Sequence, residues 1–188
     1  PRITLVTHGE ETTIAGAGGE QRRTDDPFQL VAEAMDSLGL TAAPEADLPF
    51  LGGALGLFGY DLGRRVESLP SLAAQDIAAP DMAVGIYDWA LIADHHQQRL
   101  TLVCHGDAAA RLAWLDVQQA RPAPADDFRL TGEWQANLSR EAYGERFRQV
   151  QDYLRSGDCY QINLTQRFTA PYQGSEWQAF TRLNASNR

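Results

Sequence analysis

The chain has 188 residues, 44% of them hydrophobic and 22% charged, with 16 basic against 25 acidic side chains and a net charge of -9. That length holds one large domain, or one domain and part of a second, with the composition of an ordinary globular protein. The acidic balance argues against a nucleic-acid or anionic-membrane partner, and no apolar run approaches the roughly 20 residues of a membrane span.

Ile3 to Thr7 and Glu10 to Ile14 read as two short strands of a hairpin turning at His8 and Gly9, with a small, glycine-rich loop from Ala15 to Glu20. Asp25 or Asp26 caps the next helix, Pro27 takes its first position, and Phe28, Val31, Ala32, Met35 and Leu38 recur on the face expected to pack on a sheet before Gly39 ends it. Leu51 to Phe58, rich in glycine, lacks the spacing of a nucleotide loop and suits a buried strand packed closely against another backbone. Tyr60 to Val66 suits a helical turn displaying Arg64 and Arg65, either as a solvated pair or as contacts to a partner.

Met82 to Ala93 is strand-like and pairs, in this reading, with Arg99 to Cys104 across a turn holding His95 and His96. Those adjacent histidines point opposite ways in a strand and have no third ligand nearby, so a polar turn explains them better than a metal. Cys104 and Cys159, without a CxxC pattern, read as reduced thiols of a cytoplasmic protein. Asp107 to Gln119 is helical, with Leu112 and Leu115 inward, and the stretch RPAPADD, Arg121 to Asp127, breaks both periodicities as a linker. Ser139 caps the longest helix, whose inward row is Tyr143, Phe147, Val150 and Leu154, and Gly157 stops it. After a turn at Pro171 to Gly174, Ser175 caps a last helix carrying Trp177, Phe180 and Leu183.

Between those last two helices lies GDCYQINLTQRF, Gly157 to Phe168, the most informative stretch. Read as a strand, it sets Tyr160, Ile162 and Leu164 on one face and Gln161, Asn163, Thr165 and Arg167 on the other. Two neutral amides, a hydroxyl and a guanidinium form a donor-rich set suited to a small oxygenated anion, although a half-exposed strand with its polar face in water has the same alternation.

Together with LPFLGGALGLFGYDLGRRVESLP, Leu48 to Pro70, and PDMAVGIYDWALIADH, Pro80 to His95, this stretch resembles the component I family of chorismate-binding enzymes, in its aminodeoxychorismate synthase branch. The resemblance runs over essentially the whole chain. It implies an α+β fold, mostly antiparallel sheet with helices packed outside, as a partial layered sandwich. It also implies an amino-terminal region over 1–125, a linker over 126–138 and the start of the chorismate-binding domain over 139–188, with the family's opening segment and most of its catalytic domain outside this chain. The opening PRITLVTHG likewise suits an excised segment.

The activity implied is amination of chorismate, with ammonia from a glutamine amidotransferase subunit, to 4-amino-4-deoxychorismate for para-aminobenzoate and folate synthesis. Magnesium and a general acid assist departure of the ring hydroxyl, and a lysine is the covalent nucleophile. All 16 basic residues here are arginine, so the lysine is not in this chain; the resemblance places it, the acid and the metal ligands in later sequence, and the isolated chain is expected to be inactive and to bind no magnesium. A dicarboxylate is repelled by a net charge of -9, so positive charge must come from elsewhere.

In related isochorismate synthases, the resemblance places a water-activating lysine at the position of Gln161. An amide cannot accept a proton near neutral pH, so Gln161 can only orient a reactant, while Asn163 and, less directly, Thr165, about 7 and 14 Å further along, are the candidate substrate contacts. A tryptophan pocket known in some members is expected to be incomplete. Two alternatives stand beside this reading: anthranilate synthase component I, which aminates a different ring carbon, and a non-catalytic docking module with Trp134 and Trp177 at its interface.

Overall fold

The computed structural model describes residues 1–40, 48–72, 77–122 and 127–187. It divides into two compact units, Pro1–Arg121 and Pro122–Arg188. Part of the RPAPADD stretch lies outside the described residues.

The first unit is built on a five-stranded antiparallel sheet in the order β3-β2-β1-β5-β4. Its strands are β1 (Ile3–His8), β2 (Glu11–Gly16), β3 (Gly19–Arg23), β4 (Gly53–Phe58) and β5 (Met82–Tyr87). Gly9 turns the first hairpin with φ +56°. The expected loop at Ala15 to Glu20 is instead a second tight hairpin, in which Gly16 pairs with Gly19 and the charged run GEQRR becomes a strand. Its charge hid it from a reading by hydrophobic alternation, yet charge is what keeps an edge strand from pairing with another chain.

Helix α1 (Pro27–Ser37) starts where expected, with the Asp26 carboxylate accepting from Phe28 N at 2.8 Å and Pro27 in the first turn. Its buried face is Pro27, Leu30, Val31 and Ala34. The predicted row needs correction: Ala32 is exposed and Phe28 lies half-open, stacked on Phe58 of β4 with centroids 5.7 Å apart. Helix α1 closes over alternate residues of two central strands, so that Leu5, Met82, Val84 and Ile86 are 0–2% exposed. Within this layer Thr7 and Thr12, opposite one another in the ladder, satisfy their buried hydroxyls mutually at 2.8 Å.

Strand β4 was expected to be buried, but it is an edge strand and Leu55, Leu57 and Phe58 are about half exposed. The expected close approach is present at Gly56, where a Cβ would collide with the Ala83 carbonyl. The run Met82 to Ala93 is not one strand either. It breaks at Asp88 into β5 and β6 (Trp89–Asp94), and β6 forms a separate hairpin with β7 (Arg99–Cys104). The Asp88 carbonyl accepts from His105 N at 2.8 Å, and its carboxylate meets Arg2 at 3.4 Å, so the break is held in place. Helix α2 (Ala108–Gln119) is capped by Asp107. Leu115 is half-buried, Leu112 is 50% exposed, and Trp114 packs edge-on to Trp89 beneath the Arg111 guanidinium.

The second unit alternates β8 (Arg129–Leu130), β9 (Gln135–Ala136), α3 (Arg140–Ser156), β10 (Phe168–Thr169), β11 (Tyr172–Gln173) and α4 (Glu176–Ser186). Strand β9 pairs with β10 and β8 with β11, two nested antiparallel pairs. Residues 126–138, read as a linker, thus contain two paired strands, and the expected turn at 171–174 contains β11. Helix α3 keeps both predicted ends: Ser139 Oγ accepts from Ala142 N at 3.1 Å, and Gly157 adopts φ +81°. None of its residues is buried.

Both units are mixed α and β with antiparallel pairing throughout the described strands, the fold class expected from the sequence.

Candidate functional site

The site is built from the end of α3 forward. Gly157 N and Asp158 N both donate to the Tyr153 carbonyl, closing the helix, and Ser156 Oγ, with one proton to donate, lies within hydrogen-bonding distance of the Asp152 and Tyr153 carbonyls and, nearest at 2.6 Å, the Asp158 carboxylate. The chain then leaves the helix in the direction these caps set. The predicted strand over Gly157 to Phe168 is corrected here: ladder pairing begins only at Phe168, opposite Ala136, and residues 161–167 carry no strand assignment. Strand character needs a neighbouring backbone at hydrogen-bonding distance as well as alternation.

The segment keeps only part of its two-residue alternation, since Ile162, expected on the apolar face, is 37% exposed. Gln161 Nε2 donates to Asn163 Oδ1 at 3.5 Å, so these two amides share a side. Gln161, Asn163 and Thr165 are all exposed, while Leu164 and Gln166 are half-buried. Tyr160, expected on the apolar face, is 97% exposed. Thr165 does not join the amides: its hydroxyl donates to the Gln166 carbonyl at 3.4 Å. The structure therefore brings together Gln161 and Asn163 and leaves Thr165 engaged with its own backbone.

With the Gln161 nitrogen turned to Asn163, the outward groups are the Gln161 carbonyl, an acceptor, and the Asn163 NH₂, a donor. A donor suits a carboxylate and an acceptor suits an N–H or O–H, so the pair can grip an oxygenated anion beside a protic reactant. Neither amide titrates in the physiological range.

Arg65 is not a solvated surface cation. Its side chain is 12% exposed, it meets Glu10 at 2.6 Å, and it donates to the carbonyls of Gly9, Thr24 and Asp25. Arg64 binds Asp61 at 2.8 Å and the carbonyls of Leu69 and Pro70. The two arginines pin the 3₁₀ helix Tyr60–Arg65, Arg65 to the turns on either side of β2 and β3. The spacing showed a helical turn, but the carbonyls that Arg65 collects come from distant residues.

The side chains of Trp134 and Trp177 are 60% and 64% exposed, the latter stacked on Phe180. A groove of about 400 Å³ opens beside the β2–β3 turn, lined by Arg2, Ile14, Glu20, Gln21 and Leu38 among others, and none of the predicted site residues lines it. Among the described residues, no three or more His, Cys, Asp or Glu side chains gather as metal ligands, and no helix is long and apolar enough to cross a membrane.

Charge effects on titration are local. The Arg23 guanidinium, hydrogen-bonded to Asp25 and Glu33, holds the Asp25 carboxyl below the usual carboxylate range. The Tyr172 hydroxyl, donating to Glu176, lowers that carboxyl and has its own ionisation pushed up by it.

The sequence pattern of the family described as chorismate binding enzyme matches residues 2–188, across both units, and the chain belongs to that family. Over all 188 residues it is 57% identical to aminodeoxychorismate synthase component 1 of Escherichia coli K12 and 57% identical to that of Klebsiella aerogenes, covering 41% of each. It is 34% identical to anthranilate synthase component 1 of Thermus thermophilus over 99% of this chain and 43% of that one. The crystal structure of anthranilate synthase component I from Streptococcus pneumoniae TIGR4 superposes with a TM-score of 0.76 at 22% identity, covering this whole chain and 44% of that chain, a likeness of fold. The chain spans about two-fifths of the length of these relatives.

Proposed function

We propose that this chain is part of an aminodeoxychorismate synthase component I, which replaces the ring 4-hydroxyl of chorismate with an amine from ammonia, releasing water and giving 4-amino-4-deoxychorismate on the way to para-aminobenzoate and folate. The observation that carries the reading is the 57% identity over every residue of the chain, against 34% to an anthranilate synthase. In this reading the protein works in the cytoplasm, and a glutamine amidotransferase subunit supplies the ammonia.

The Gln161–Asn163 pair lies against the substrate. The Asn163 NH₂ donates to a chorismate oxygen, and the Gln161 carbonyl accepts from incoming ammonia or from the ring hydroxyl. Because Gln161 takes no proton, it does not turn water into a nucleophile, and nitrogen is installed in place of oxygen. Thr165 stands further along the same row as an outer contact. In this reading magnesium, the lysine nucleophile and the general acid belong to the remainder of the full-length protein, and the 188-residue chain by itself does not turn over chorismate.

The test is product analysis on the full-length protein with chorismate, ammonia and magnesium. Formation of 4-amino-4-deoxychorismate supports the reading; release of anthranilate, easily seen by its fluorescence, assigns the protein to the tryptophan branch instead.

A further inference from the structure

The side chain of Asn137 ties the far end of the polar segment. Asn137, directly after β9, accepts from Arg167 N through Oδ1 at 2.9 Å, and its own backbone N donates to the Arg167 carbonyl at 3.0 Å. The second bond is open to any residue but proline; the first needs a side-chain oxygen at that position. Two residues beyond Asn137, Ser139 caps α3, and Arg167 directly precedes β10. The pair therefore closes the excursion that leaves β9, runs up α3, turns at Gly157 and returns along Gln161, Asn163 and Thr165. One end of the amide row is set by the α3 cap at Gly157 and the other by Asn137.

We infer that Asn137 is a positioning residue for the Gln161–Asn163 pair, fixing through Arg167 how far along the segment those amides stand. This rests on the proposed role of that pair at chorismate. Asn137 touches neither amide in the structure and acts through the backbone it holds. Without the side-chain bond the end of the segment loses one of its anchors and is freer to slide or twist, and for alternating side chains a slip of one residue exchanges the two faces.

The experiment compares Asn137→Ala, Asn137→Leu and Asn137→Asp in the full-length protein, with Gln161→Ala and Asn163→Ala alongside. Asp keeps the accepting oxygen, Leu keeps the volume without it, and a melting curve identifies which variants fold. Amide exchange, read by mass spectrometry over residues 166–168, is expected to speed about three- to tenfold in Ala or Leu and to stay near wild type in Asp. The chorismate KM is expected to rise about tenfold in Ala or Leu, with a smaller change in kcat, and to return to within about twofold in Asp. Unchanged exchange in Ala or Leu overturns the inference, as does equal impairment by Asp. If Gln161→Ala or Asn163→Ala moves KM and Asn137→Leu does not, the inference falls and the proposed site stands. If none of them moves KM, the site reading falls and takes the inference with it.

Discussion

The two units spend similar amphipathic helices very differently. Helix α1, with 11 residues, buries four of them on a sheet whose central side chains are sealed from water, whereas α3, with 17 residues and a clean apolar row, buries none. In the second unit Phe147 is 49% exposed, and the strands beside the helix are two residues long. An amphipathic pattern states what a helix can bury, and the surrounding chain decides whether it does. The unit with the closed core carries stability, and the open one carries the amide pair.

Truncation should show this contrast most strongly. Leu5→Ala, at a fully buried site, is expected to cost about 2–5 kcal/mol in chemical denaturation, while Phe147→Ala costs about 1 kcal/mol. Equal costs would mean that α3 is buried as deeply as α1. Next comes Gly56→Ala, which pushes β4 away from β5 at the Ala83 carbonyl and is expected to cost about 1–3 kcal/mol.

The arginine pair offers a smaller, paired test. Arg65→Ala, which strips hydrogen bonds from three carbonyls and Glu10, should cost about 2 kcal/mol, and Arg64→Ala under about 1 kcal/mol. The smallest effect is in acid. The Asp25 and Glu176 carboxyls are held below their ordinary range in the fold, so in acid the unfolded chain binds protons that the folded chain refuses, and stability rises with pH there. Their contribution is complete above the ordinary carboxylate range and fades as pH falls through the lowered folded values. Asp25→Asn should flatten part of that slope in denaturation midpoints measured between about pH 5 and pH 2.

What was legible in the sequence follows from how local each signal is. Asp26 with Pro27, Ser139 and Gly157 mark helix ends through contacts within a few residues, and all sit where they were read. The break at Asp88 was not legible, because Trp89 to Asp94 continues the same strand composition. Only pairing shows that β5 belongs to the sheet and β6 to β7. Arg65 and Asn137 escaped for the same reason, since each works through carbonyls or amides far away in the chain. For Asn137 the one local hint is an amide side chain just ahead of a helix cap. Alternation over Gly157 to Phe168 put Gln161 and Asn163 on one side, where they meet, but it misplaced Tyr160 and Ile162, which are exposed, and could not supply a pairing partner.

If the Gln161–Asn163 pair faces substrate, a crystal structure of the full-length protein with chorismate bound will show the Asn163 NH₂ or the Gln161 carbonyl within about 3 Å of a ligand or reactant atom. Chorismate seated elsewhere, with both amides turned to solvent, would contradict that placement.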